Sequence, residues 1–411
     1  VRIILLLIGW VFPFALAFAA PAVAGPAAER LAAHLYDGTL AEGEHELETL
    51  AFDPTNAEAK AGLGVIRFVR AIERFAQVMY RHGLQPGGVS YGPFLRMPLP
   101  ENPNPEPLSY DQLREAFRTV SAGLDAAGMT LAGVADREVK LPLATGRIRI
   151  DIDGDGTAGE NEQLIALAFG DTAPAAFRAQ NDAFVVAFDT ADIYWLRGYC
   201  NLLAAVADAW LSVDFREAFD LTFHVIFPRA GLPNQDALTT GSNVEGFQAD
   251  EIADAIALIH LVRWPVVDRP RFEGIRQRLL DVIALNRKTW AAVAAETDND
   301  REWLPSAAQK TGVMGPGFEI TQERIDAWLA ALTEMEAVLQ GRKLMPHWRF
   351  AKGFNLKRVF GELQTFDLVL LVTGQGVLPF LEDGPLADGA AFAQADRVFT
   401  GDLLTYAFWF N

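Results

Sequence analysis

Asp151, Asp153 and Asp155 stand at alternate positions in residues 147–167, RIRIDIDGDGTAGENEQLIAL, and Gly156, Thr157, Gly159 and Glu162 follow closely. Carboxylates spaced this way on a short loop converge when a glycine lets the chain turn sharply. A hard cation takes about six to eight oxygen ligands, and it relieves the repulsion between converging carboxylates. The chemistry expected of this stretch is therefore cation binding. The same glycines permit a second reading: Gly154, Gly156 and Gly159 spell G-x-G-x-x-G between a strand-like and a helix-like run, as in a dinucleotide-binding turn. A pyrophosphate there would lie beside three aspartates and Glu160, and like charges oppose it. A third reading is an acidic Asp-Gly turn that binds nothing. Register favours the cation, because the twelfth residue counted from Asp151 is the oxygen donor Glu162, whereas from Asp153 it is Leu164.

The order D-x-D-x-D-G-x-x-x-x-x-E over residues 151–162 resembles the EF-hand calcium loop. The resemblance implies Ca2+ as the ion, with Asp151, Asp153 and Asp155 as the first carboxylate ligands and Gly156 at the sharp turn. It further implies a Thr157 carbonyl ligand, a water held near Gly159 and a bidentate Glu162. An EF-hand enters its loop from a helix. Here Gly146–Ile150 alternates apolar and charged residues, which predicts a strand. Ala158 stands where the family usually has a larger aliphatic residue that pairs with a second loop, and the chain has no second loop of this pattern. One structural ion on a different scaffold is the expectation, rather than paired sensing.

The flanking elements must hold such a loop. Lys140–Ile150 predicts a strand pair or bent strand and Phe184–Phe188 another, so that pairing would set the loop at the edge of a small sheet. Upstream, residues 27–83 carry three helical patterns. The first has Ala28, Leu31, Leu35 and Tyr36 on one face; the second has Leu47, Leu50 and Phe52 and stops at Asp53-Pro54; the third runs from Asn56 past Met79. The string FDPTNAEAKAGLG, residues 52–64, resembles a tetratricopeptide junction, which implies a helical hairpin and a surface for a protein partner. Residues 86–108 form a Pro/Gly-rich crossing loop. Gly88–Gly92 within it matches G-x-S-x-G, but the nucleophile elbow needs a strand before Ser90 and a helix after it, and prolines flank it instead. Ser109 or Asp111 is expected to cap a helix ending near Gly123. Asp189 and Thr190 open what should be the central helix, its broad apolar face running from Ile193 to Trp210, with Arg197 and Asp208 making polar contacts inside the core. Further helices are expected over Ala249–Arg263, Pro270–Ala295, Gln322–Leu339, Leu356–Glu362 and Phe366–Val372. The Phe408–Phe410 end should dock on the core.

With 51% hydrophobic and 21% charged residues, the 411-residue chain is globular in type. Its 53 acidic and 35 basic residues leave a net charge of −18, which suits calcium and opposes nucleic acid and anionic membrane surfaces. Arg2, an apolar run to Ala20 and Ala22-Val23-Ala24 predict a signal peptide over residues 1–24 and an exported, periplasmic or extracellular protein; an uncleaved signal would anchor it to the membrane. Cys200 is the only cysteine and is read as a buried small residue. The six histidines show no metal-ligand spacing; His260 falls on an apolar helix face as a core residue, and His347 sits in a loop with aromatic and basic neighbours. Glu296–Glu302 reads as a solvated helix end. The predicted fold is mainly α (α+β), with a helical hairpin over 25–85, the loop over 86–108 and a helical body over 109–411 whose small β element carries the calcium loop. The expected function is a non-catalytic calcium-binding protein. Two alternatives stand beside it: an envelope or secreted hydrolase gathering Arg197, Asp208, His224 or His260 in one pocket, and an interaction module using residues 25–85.

Overall fold

The computed structural model describes residues 25–85, 97, 99–134, 138–160, 162–169, 184–231, 243–244, 247–298, 300–309, 313, 320–399 and 410. The chain is mainly α with a small β element. Residues 1–24, Ser90 and its neighbours, and Phe408-Trp409 lie outside the described residues.

Three helices open the chain as their periodicity predicts: α1 (Pro26–Asp37), α2 (Leu40–Leu50) and α3 (Ala57–Arg81). Pro26 starts α1, and Gly38 ends it in the left-handed region at φ +70°. Asn56 caps α3, its Oδ1 accepting from the Ala59 amide at 2.9 Å. Leu31, Leu35, Leu47 and Ile66 are fully buried. Phe52, expected on the core face of α2, is instead 81% exposed. It lies past the last turn of α2, where helical periodicity no longer sets the side-chain direction.

The next helix, α4 (Tyr110–Ala132), opens with a capping box between Ser109 and Gln112. It continues well past Gly123, its expected end. Gly123 is a packing residue rather than a stop: a Cβ there would lie 2.8 Å from that of Ala71 on α3. Gly64 of α3 plays the same part against Leu131. The two glycines let α3 and α4 approach closely, and tertiary contact overrides glycine's poor helix propensity.

A short helix α5 (Leu164–Phe169) leaves the acidic loop. The long α6 (Thr190–Ser212) starts at a capping box formed by Asp189 and Asp192, and its apolar residues are buried around most of its circumference, as a central helix requires. After α7 (Arg216–Thr222) and α8 (Ala249–Leu261) come α9 (Arg269–Ala295), α10 (Gln322–Leu339), α11 (Leu356–Glu362), α12 (Leu368–Thr373) and α13 (Gly389–Val398). The long helices pack in the order α3, α4, α6, α9, with α10 beyond. One hydrophobic core runs from Ala27 through to Phe410, so α1–α3 share it with the rest of the chain. Phe410 meets Trp290, Trp328 and Phe399 edge-on there.

The strands are short antiparallel pairs: β1 (Leu141–Leu143) with β2 (Val186–Phe188), β3 (Asn243–Val244) with β4 (Phe247–Gln248), β5 (Arg263–Pro265) with β7 (Thr365–Asp367), and β6 (Gly353–Phe354) with β8 (Leu381–Glu382). The first pair joins the two segments expected to pair. The expected strand to Ile150 is broken by a 3-10 turn over Thr145–Arg147, and Phe366 falls in β7 rather than in a helix.

Candidate metal centre

Alternation across 147–153 sets the loop on its seat. Ile148, Ile150 and Ile152 are buried, while the residues between them turn outward, so the apolar positions anchor the chain and present Asp151 and Asp153 at the surface. The two ends of the loop are laced together. The Ile150 amide donates to the Glu162 carbonyl at 2.9 Å, the Leu164 amide donates to that of Ile148 at 3.0 Å, and Arg149 bridges Gln163 in antiparallel fashion.

Inside this frame the carboxylates organise the turn. Asp151 accepts from the Gly154 amide at 2.7 Å and the Gly156 amide at 3.1 Å; Asp153 accepts from Asp155 at 3.0 Å; Asp155 accepts from the Thr157 amide at 2.8 Å and its hydroxyl at 2.7 Å. The Thr157 hydroxyl and amide hold the Asp155 carboxyl below the usual carboxylate range. Gly154 and Gly156 have φ of +75° and +92°, a conformation that suits glycine. Carboxylate oxygens of Asp151, Asp153 and Asp155 thereby lie within 4.8 Å of one another. Glu162 is placed differently, beneath the loop. Its Oε1 accepts from Ile152 at 2.7 Å and Asp153 at 3.2 Å, and its Oε2 accepts from Gly159 at 2.6 Å. Two donors occupy Oε1, so further coordinating capacity remains on Oε2. Glu162 is thus a fastener of the loop as well as a candidate ligand.

Sequence reasoning missed the platform below. Glu73 and Gln77, one turn apart on α3, hold Asp151, the first candidate ligand: Glu73 Oε1 accepts from the Asp151 amide at 3.0 Å, and Gln77 Nε2 donates to the Asp151 carbonyl at 2.8 Å. Burial and the neighbouring Asp151 charge push the Glu73 carboxyl up to about 7. Tyr80, a turn further on, has its phenol raised by burial and by the charges of Asp153 and Glu162. The available signal was a glutamate inside the apolar stripe Ile66, Val69, Ala76. From α1, the Leu35 carbonyl accepts from the Arg149 amide at 2.9 Å, and Gly38 lies against Ala158. Ala158 therefore packs on a helix end, where the EF-hand family would have a second loop. The donor set fits a hard cation: oxygen atoms only, glycines at the turns, and a rigid floor.

A second carboxylate group surrounds the N-terminus of α6. Asp189, Glu296 and Glu302 bring oxygens within 4.8 Å of one another, and the buried Asp192 lies beside them. The expected solvated helix end holds for Thr297 and Asp298, which are exposed, but fails at Glu302, which is 3% exposed. Burial first, then the charge of Asp189, pushes Glu296 up to about 9 and Glu302 up to about 8. Lys140 pairs with Asp298 at 2.9 Å and Asp300 at 2.5 Å at the edge of the group. Burial and the mutual repulsion of these carboxyls favour their protonated forms.

Arg197, Asp208, His224 and His260 do not line the aromatic cavity beside α6. Asp208 binds Arg271, Arg278 at 2.8 Å and the Ser121 hydroxyl at 3.2 Å, and Arg278 in turn grips Asp125 at 2.6 and 2.9 Å. This network ties α4, α6 and α9 together. His260 is exposed, contrary to its expected core position. Burial pushes the Cys200 thiol up to about 12, as for an inert buried cysteine. No described helix is long and apolar enough to cross a membrane. Comparison of the chain with known protein families, curated proteins and solved structures finds no match. Function is therefore read from the site's own chemistry.

Proposed function

We propose that the protein is an exported calcium-binding protein in which the loop 151–162 binds one structural Ca2+ and no catalysis takes place at the loop. The carrying observation is the convergence of Asp151, Asp153 and Asp155 oxygens within 4.8 Å on a loop tied at both ends and bolted to α1 and α3. Three outward carboxylates over a rigid floor repel one another, and a divalent cation relieves that repulsion. Thr157, Gly159 and Glu162 complete the ligand order, through a carbonyl, a held water and a carboxylate respectively. Because the ion joins the β1 side of the loop to the N-terminal helices, its effect is on stability. A plentiful extracytoplasmic calcium supply would keep a site of modest affinity filled.

Thermal unfolding with added calcium and with chelator tests this, alongside an Asp151→Ala, Glu162→Ala double variant. Calcium at about a hundred times its dissociation constant stabilises a folded-state site by about 2.7 kcal/mol. The wild type is expected to show that gain and the variant to lose it. A wild type whose melting point ignores both calcium and chelator sinks the proposal and leaves an acidic turn.

A further inference from the structure

A cavity of about 710 Å³ lies among α6, α9, α11, α12 and the β5–β7 pair, and no residue of the acidic loop lines it. Its walls are aromatic and aliphatic: Trp210 of α6, Trp264 of β5, Phe272 of α9, Phe360 of α11 and Phe366 of β7. Ring contacts brace them, Trp210 to Trp264 at 5.5 Å, Trp264 to Phe366 at 6.1 Å and Phe272 to Phe360 at 5.5 Å. No Asp, Glu, Lys or Arg side chain lines it among the described residues. The Trp264 indole N–H is buried in this region with no hydrogen-bond acceptor.

The rim is unusual for a surface. Helix α12 reads LVLLVT, yet none of its side chains is fully buried, and Val372 is 59% exposed. Trp348, which also lines the cavity, is 79% exposed. Three bonds lace the loop at 347–349 to α12: His347 Nε2 lies 3.3 Å from the Leu371 carbonyl, Trp348 Nε1 donates to that of Val372 at 3.1 Å, and Arg349 donates to that of Thr373 at 2.6 Å. Exposed Arg349 thus places a cation next to the lining residues Trp348 and Val372.

We propose that this cavity binds a single acyl chain, its anionic or phosphate-bearing head staying at the rim beside Arg349. The volume falls in the range of about 300–1,000 Å³ typical of small-ligand pockets. A polar ligand would leave its groups unpaired against such walls, and a docked peptide would strand its backbone N–H and C=O groups in the same way. A hydrocarbon chain has nothing to leave unpaired. It enters end-first past exposed apolar side chains and keeps its head in water. The site is independent of the calcium loop in residues and in chemistry.

The test titrates the full chain with laurate, palmitate and palmitoyl lysophosphatidylcholine, reading displacement of an anthroyloxy-labelled fatty acid and, by native mass spectrometry, the number of chains bound. One chain per protein is expected, with affinity rising by about tenfold or more from laurate to palmitate. Tighter binding of palmitate identifies the free acid as the ligand; tighter binding of the lysophospholipid identifies a membrane lipid; either supports the site. Ala209→Trp, which fills the cavity from α6, should weaken binding by about tenfold or more while a melting curve reports the fold. Val372→Glu sits on the exposed rim, where folding is insensitive to it, and should weaken binding by opposing the head. Phe52→Ser, at an exposed apolar residue outside the cavity, should change nothing. Absence of saturable binding, or binding of several chains indifferent to both Ala209→Trp and Val372→Glu, overturns the proposal.

Discussion

At the residue scale, Asp151 carries the loop through its backbone as much as through its carboxylate. The carboxylate gathers the Gly154 and Gly156 amides, while its own amide and carbonyl are held by Glu73 and Gln77. The loop's acidic pattern was legible because its carboxylate hydrogen bonds close over two to ten residues of chain. Glu73 and Gln77 lie some seventy positions upstream, and only folding places them below the loop. Replacing Gln77 with Leu keeps the bulk and removes one bond to a partly buried carbonyl. It should cost about 1 kcal/mol of stability. Calorimetric calcium titration should show a several-fold weaker site, whereas unchanged affinity would mean that α3 does not shape it.

At the element scale, the contact between the end of α1 and the loop is made by the smallest residues available. Gly38 has φ +70°, and a Cβ there would collide with the Ala158 methyl. Gly38→Ala should therefore destabilise the protein by about 1–2 kcal/mol through the left-handed backbone alone, and further by displacing the loop. Adding Ala158→Gly should recover the second part and leave the first, a separation that melting curves of the single and double variants would read. Equal losses in both would remove the helix end from the account of the loop. Gly123 teaches a related lesson. Read in sequence it punctuates a helix; in the fold it is the place where α4 meets Ala71, and the helix continues to Ala132.

At the scale of the whole molecule, burial concentrates acid at the start of the central helix. Asp192, Glu296 and Glu302 all have carboxyls raised by burial, Glu296 to about 9 and Glu302 to about 8. The folded state thus keeps protons that the unfolded chain has released, and the stability this confers is complete below the ordinary carboxyl range and lost as pH rises towards 9. Asp298 is displaced the other way: burial acts against its charge, but the Lys140 hydrogen bond prevails, and its contribution is lost only on acidification. Melting temperature measured in chelator, to silence the loop, should fall between pH 5 and pH 9, with the window set by these shifts. Glu302→Gln, neutral throughout, should flatten the fall. A flat wild-type profile would show that the cluster is hydrated rather than buried.

The amino-acid sequence by itself determined most of the helices, though not α7 or α13, the caps at Asn56, Ser109 and Asp189, the β1–β2 segments and the pattern of carboxylates and glycines from Asp151 to Glu162. All of these rest on interactions between near neighbours or on a period of 3.6 or 2. Tertiary structure alone decided that α1 and α3 form the seat of the loop, that Glu302 is buried and Phe52 is not, and that aromatic residues from elements distant in the chain line one cavity. Those outcomes depend on which faces of distant elements exclude water together. No local pattern records that, because a side chain's burial is a property of its neighbours in space.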